Sequence, residues 1–491
     1  MLFNSVQFAI FFPIVTLLYF NLPYRWRGAL LLSASCLFYM AFVPVYIGVL
    51  FFTIGVDYLA ALRIDASVGR QRKAWLIVSV CSTCAVLFVF KYFGFFSDTA
   101  ALAARSLGMD YAVPALRLIL PIGLSFHTFQ SLSYVIEVYR RQQDPERDPW
   151  RYALYVMFYP QLVAGPIERP QNLLRQLREN HDFEYDRVVA GLQLMAWGMV
   201  KKAVVADRLA ELATRVFDAP REFTGIPLVI GTVAFAFQIY CDFSGYSDIA
   251  IGAAQVMGFR LMRNFDRPYT ARSIGEFWGR WHISLSTWFR DYVYVPLGGN
   301  RVPRARWLAN LFVTFLVSGL WHGARWTFIV WGAFHGTLLI LGIVTERYRV
   351  AVRSSIGIQP HPGLLKAWQI VSTFTLVSIG WVLFRAQSLG DARYVLSRMP
   401  VGALHQLRAA MSDSAARTHD LFLDLPPSQL QIAAAAVLVM LLIEQANGRW
   451  PIRSRILAWP APFRWVAYAS IVLSIMTLGS FGNSKFIYFQ F

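Results

Sequence analysis

The chain has 491 residues, of which 56% are hydrophobic and only 15% charged, whereas a soluble protein carries about 25% charged residues. That balance excludes a soluble protein and places the chain in a bilayer. The net charge of +18, from 46 basic and 28 acidic residues, reads in so apolar a chain as retention of cytoplasmic loops rather than as a nucleic-acid surface.

Apolar runs long enough to approach or cross a hydrocarbon core of about 30 Å are expected at 6–22, 29–41, 46–62, 74–96, 116–138, 188–205, 226–240, 307–320, 327–344, 367–384, 430–443 and 466–478. The first has no basic residue before it and no small-residue cleavage site after it, so it is expected to stay as a span rather than leave as a signal peptide. The stretch 152–166, broken by Pro160 and Gly165, is too short to cross; such backbone belongs inside protein or along a cavity. No region reads as an independent soluble domain, and the whole of 1–491 is taken as one membrane domain.

Loop charge sets the orientation. Arg25 and Arg27, then Arg63, Arg70, Arg72 and Lys73, then Arg140, Arg141, Arg147 and Arg151 fall on one side, with Arg347, Arg349, Arg353, Arg449, Arg453, Arg455 and Arg464 later. That side is expected to be cytoplasmic, which puts the N-terminus outside. The connection after Arg385 mixes both signs and reads as external. The segment 466–491, the last span and its aromatic tail Phe486-Ile487-Tyr488-Phe489-Gln490-Phe491, then ends on the outer side.

Cys36, Cys81, Cys84 and Cys241 lie in or beside apolar segments. Cys81 and Cys84 have metal-like spacing without a second pair or a flanking His, so a packed thiol pair is expected and no metal site. Gly123, Ser125, His127 and Gln130 soften one span and are expected to pack. Asp242 and Asp248 close an apolar run, where a helix cap and a structural pair account for them as well as function does.

The densest polar stretch is 260–306, where Arg260, Arg263, Arg267, Arg272, Arg280, Arg290, Arg301, Arg304 and Arg306 alternate with Phe277, Trp278, Trp281, Trp288, Phe289, Tyr292 and Tyr294. Such a segment lies at headgroup level or holds an anionic ligand; composition leaves both open. Two histidines stand in matching settings, Trp281-His282 and Trp321-His322-Gly323. The 14 residues of the run 307–320 make about 21 Å of helix, which carries His322 deep into the bilayer, where a costly polar side chain marks a pathway or a reaction centre. No hydrolase motif, Walker loop or His-Glu-x-x-His cluster is present.

The run Gly279-Arg280-Trp281-His282-Ile283-Ser284-Leu285-Ser286-Thr287-Trp288-Phe289-Arg290-Asp291-Tyr292, followed by Pro296-Leu297-Gly298-Gly299-Asn300-Arg301, resembles the signature of the membrane-bound O-acyltransferase family. Supporting stretches are Pro121 to Gln130, Gly165 to Pro170, Asp242 to Asp248 and Trp321-His322-Gly323, in the family's order over most of the chain. The subgroup it most resembles acts in bacterial alginate O-acetylation, with teichoic acid D-alanyl transfer proteins a close branch.

The resemblance implies an all-α polytopic fold, a ring of about 10–12 transmembrane helices with re-entrant and interfacial helices around a central funnel and tunnel. His322 matches the family's essential histidine and His282 the second one of this subgroup. Arg280, Arg290, Trp281, Trp288 and Asp291 are then expected to hold the acyl donor, acetyl-CoA by family analogy, with no permanently bound cofactor. The implied role is transfer of an acetyl group across the bacterial inner membrane toward an exported polysaccharide, with periplasmic acetyltransferase partners. D-alanyl transfer, a flippase and a non-catalytic scaffold are the rivals. The aromatic tail also resembles the C-terminal motif of the small single-span protein that works with the teichoic acid enzyme, which makes Tyr488 a candidate acyl carrier.

Overall fold

In the computed structural model, the described residues are 1–109, 118, 120–163, 165–355, 362–449, 456, 458–480 and 486–487. Every regular element among them is helical. Of the spans expected, eight helices among the described residues are long and apolar enough to cross a membrane. Ala461–Leu478 has none of its apolar window buried, with Trp465 and Met476 about 70% exposed. Apolar surface on that scale is unstable in water and belongs against lipid. The protein is an all-α polytopic membrane protein.

Contacts divide the chain into two compact units, Met1–Met195 with Tyr246–Met262, and Ala196–Gly245 with Arg263–Phe491. In the first, Val6–Asn21 starts at Ser5, whose side chain accepts the Phe8 N–H and so caps an otherwise orphaned donor. Ile47–Ala66 packs on Gly69–Leu87 and Leu124–Tyr139. Their shared interior is polar: Asp57 accepts from Ser79 at 2.6 Å and from Thr83 at 3.1 Å, and one turn earlier Thr53 meets His127 Nε2 at 2.5 Å. Gln130 donates to the Tyr155 carbonyl at 2.9 Å. His127 and Gln130 therefore pack, as their sequence context suggested.

Among the described residues of the 116–138 run the helix starts at Leu124, after Gly123, which is left-handed at φ 77° and faces the Leu162 carbonyl. The short stretch after Pro149 forms Pro149–Met157 and Tyr159–Leu162, with Tyr152 to Leu162 wholly inside the protein. The thiols depart from expectation. Cys81 and Cys84 are both exposed, because Ser79, Thr83 and Leu87 occupy the inward stripe of that helix and the cysteines fall between them at helical spacing. They face outward and are not a packed pair.

In the second unit, helix Arg304–His322 returns as Trp326–Val344. A Cβ on Gly336 would stand 3.3 Å from Phe312 Cα, and one on Gly319 would strike the Phe328 carbonyl, so these small residues let the two backbones approach closely. The first of the pair has 19 residues, about 28 Å at 1.5 Å per residue, longer than the apolar run implied because it starts at Arg304. Pro362–Arg385 packs on Trp326–Val344, with the bare Gly380 against the His335 ring.

The run 226–240 does not stop at Asp242. Helix Ile226–Val256 has 31 residues, with Asp242 and Asp248 both inside it, so neither is a cap. Asp242 is tolerated there because Lys202 Nζ supplies the counter-charge at 2.7 Å. Lys202 lies in Val200–Ala206, a wider π-type turn that interrupts the helical run from Tyr185 to Asp218, a distortion common at functional sites.

Candidate functional site

His282 is placed by strain and by one asparagine. Its backbone is left-handed at φ 43°, a conformation that costs a non-glycine residue on the order of 1–3 kcal/mol. Buried Asn264 compensates: its carbonyl accepts the Ile283 N–H at 2.9 Å, and its side-chain Oδ1 accepts the Ser284 N–H at 3.3 Å and the Ser284 hydroxyl at 2.9 Å. A backbone N–H can only donate, so the Asn264 atom facing it is oxygen. His282 Nδ1 lies 3.0 Å from the same oxygen and must carry its proton toward it. In the neutral ring Nε2 is then the lone-pair nitrogen. His282 lies outside the segments long enough to span; burial, and then the nearby His322, hold its pKa well below the ordinary value. The ring is held neutral, with one fixed tautomer.

His322 is the last residue of Arg304–His322, and the chain leaves it through Gly323, where a Cβ would run into the Phe328 ring. It is 8% exposed. Its ring meets Trp331 edge-on at 5.1 Å and Phe384 at 5.4 Å, so aromatic walls fix its direction. His282 and His322 line one cavity of about 340 Å³, whose remaining walls are mostly apolar, including Trp278, Phe289, Trp307 and Leu311. Arg290 is the charged residue on that wall. An apolar pocket with a few convergent polar groups is the form of a small-molecule site.

The other sequence candidates divide. Trp281 lines the cavity and stacks on Phe277 at 5.6 Å. Arg290 lines it while its Nε bonds Asp291 at 2.8 Å. Arg280 is turned to Glu276 at 2.5 Å and Thr270 at 2.9 Å, and Trp288 packs on Phe289 and Tyr292; neither is on the cavity wall. Tyr488 lies outside the described residues. Just before it, Phe486 and Ile487 are each 1% exposed. The Ile487 N–H donates to Asp242 Oδ2 at 2.7 Å. Phe243, next to Asp242, meets Phe486 at 5.9 Å and His282 at 4.6 Å, so one ring touches both the tail and a site histidine.

Sequence reasoning missed Asn264, which sits in Arg263-Asn264-Phe265-Asp266 and reads as an ordinary polar loop residue. It also left Lys202 unremarked, although a Lys201-Lys202 pair between apolar runs was a signal: charge that far inside a span needs a partner. Among the described residues no group of three or more His, Cys, Asp or Glu side chains is arranged to hold a metal ion.

Comparison with known proteins adds a family. A model of the membrane-bound O-acyltransferase family matches residues 148–351, which contain both histidines and the cavity. The chain is 42% identical over 397 residues to the probable alginate O-acetylase of Pseudomonas aeruginosa, covering 79% of this chain and 73% of that protein. It is 35% identical over 432 residues to the peptidoglycan O-acetyltransferase of Helicobacter pylori, covering 81% and 80%. The teichoic acid D-alanyltransferase of Streptococcus thermophilus is more distant, 28% identical over 281 residues, covering 54% and 68%.

Proposed function

We propose, because the chain belongs to the membrane-bound O-acyltransferase family, that it is an O-acetyltransferase moving an acetyl group toward an exported polysaccharide. The observation that carries the reading is the shared cavity, in which two buried histidines face an apolar chamber with one arginine on its wall.

His322, in its neutral form, would take the proton of an acceptor hydroxyl as that oxygen attacks the acetyl carbonyl of a thioester. The new C–O bond forms, the tetrahedral adduct collapses with cleavage of the C–S bond, and the imidazolium returns its proton to the departing thiolate. General-base help of this kind is worth about 10² to 10⁴ in rate. His282 presents the Nε2 lone pair because Asn264 holds its Nδ1 proton. It is thus suited to orienting an O–H partner and not, while neutral, to donating to the oxyanion. The donor proposed is acetyl-CoA, with Trp281 against the acyl-bearing arm and Arg290 toward a phosphate.

Tyr488 is proposed as the first acceptor. Ile487, which precedes it in the sequence, is buried and bonded to Asp242. A phenol of pKa about 10 is easier to deprotonate than an alcohol and leaves more readily afterwards. It takes the acetyl group on its oxygen and passes it to a polymer hydroxyl, whose proton restores the phenol, with periplasmic acetyltransferase partners completing delivery. The orientation that goes with this puts 260–306 on the cytoplasmic face of a bacterial inner membrane and both termini outside. Cysteines placed near Arg272 and Arg301 should then resist an impermeant thiol reagent in intact cells, and rapid labelling would reverse the topology.

The deciding experiment is labelled acetyl transfer by the purified protein from acetyl-CoA, with His322→Ala and Tyr488→Phe beside it. Loss in both, with an acetylated tail peptide in trapped wild-type protein, supports the relay. Full activity of Tyr488→Phe makes the tail an anchor, and donor-independent substrate flux makes the protein a flippase.

A further inference from the structure

The second unit holds a buried charge cluster that the acyl-transfer chemistry leaves unused. Lys202 Nζ lies 2.7 Å from Asp207 Oδ1 and 2.7 Å from Asp242 Oδ1, with all three side chains 5% exposed or less. Beside it Lys201 pairs with Glu444 at 2.8 Å. Lys202 is therefore one cation between two carboxylates. Asp242, with one oxygen satisfied by the ammonium, needs a further donor for the other, because a buried acceptor left unmade is costly. The donor it has is the backbone N–H of Ile487. That contact reaches 245 residues along the sequence.

We infer that Asp242, aimed by Lys202, is the positioning residue that docks the C-terminal segment beside the histidine pair. Recognition is through the backbone: a carboxylate reads an N–H, so the side chain at 487 supplies only apolar contact, as its membership of the buried core shows. Lys202 acts by holding the carboxylate in one rotamer. Phe243, the next residue on the helix, then places its ring between Phe486 and His282. Docking and site geometry share one turn of helix. A tail held by main-chain bonding at 487 is registered at that residue. The inference deepens the relay reading by saying what delivers the tail.

The test is amide hydrogen exchange of the peptide covering 486 and 487, read by mass spectrometry on the full-length protein in lipid nanodiscs. Asp242→Ala is chosen because it leaves Lys202 with Asp207, a balanced pair, so no buried charge is stranded. It is expected to speed exchange of the tail on the order of 10- to 100-fold, the loss of one hydrogen bond to a charged group. Ile487→Pro, which removes the N–H from the tail alone and leaves the cluster intact, should deprotect the neighbouring Phe486 amide to the same degree. Ile487→Val should keep wild-type protection, and so should Glu444→Gln, which disturbs the adjacent Lys201 pair and the Tyr240 hydroxyl contact but not Asp242. An unprotected wild-type tail, unchanged exchange in Asp242→Ala, or equal deprotection by Ile487→Val and Ile487→Pro would each overturn the proposal. Tyr488→Phe separates the two readings. If it is fully active the relay fails, while the exchange pattern still decides the docking.

Discussion

His127 in the first unit and the His282 and His322 pair in the second are all buried in an apolar protein, yet their surroundings differ in kind. His127 sits in a regular helix and is 1% exposed, its Nε2 taken by Thr53. Nearby Asp57 is likewise held by Ser79 and Thr83. That region spends its polar atoms on joining three helices. His282 instead stands at a left-handed position and His322 at the end of a helix, and both face a cavity. Burial by itself therefore does not separate a packing histidine from a catalytic candidate. Strain tolerated next to an open volume is the stronger sign.

The largest effect that would break this comparison is at His322. His322→Ala should lower acetyl transfer by about 10² to 10⁴ at normal membrane abundance, measured with labelled donor on purified protein; near-normal transfer would erase the distinction between the two regions. Next comes Asn264→Ala, which frees the His282 tautomer and should cost about tenfold in turnover, the worth of a buried hydrogen bond, with thermal stability measured alongside to exclude unfolding.

A pH profile sharpens the same point. His282 has its folded-state pKa pushed below the ordinary value by burial and by His322, so the neutral form persists as pH falls through about 6.5, the free histidine value. The acid limb attributable to His282 should lie below that pH. Asn264→Asp puts a negative charge beside Nδ1, favours the imidazolium and should move the limb upward. A limb that does not move with this substitution would remove His282 from the assignment.

The smallest effect is expected in the first unit. His127→Phe should leave transfer within about twofold and lower stability by about 1 kcal/mol, since one partner is lost while the Thr53 hydroxyl still donates to the Leu50 carbonyl at 2.9 Å. A large fall in turnover with unchanged melting would show that the two regions are not as different as their geometry implies.

Much of the architecture was legible in the sequence, because helices in lipid must satisfy their own backbone and so announce themselves as apolar runs. Both histidines were legible too, since each follows a tryptophan and His322 closes a largely apolar run. The interrupted helices were not: Asp242 and Asp248 resemble an ending, and only a lysine from another segment allows Asp242 to lie inside a 31-residue helix. Cys81 and Cys84 misled for a related reason, because spacing along a helix does not say which stripe faces inward until its neighbours are known.

By itself, then, the sequence determined that this chain is a helical membrane protein, which runs of it are apolar, and which residues are candidates for the chemistry, since hydrophobicity and motif are properties of residues in order. Tertiary structure decided which of the arginines and aromatics line the cavity, that Asn264 faces the His282 Nδ1, and that Asp242 accepts the Ile487 N–H. Those depend on contacts between segments 18 to 245 residues apart. A hydrogen bond needs a partner at about 3 Å, and only folding sets that distance.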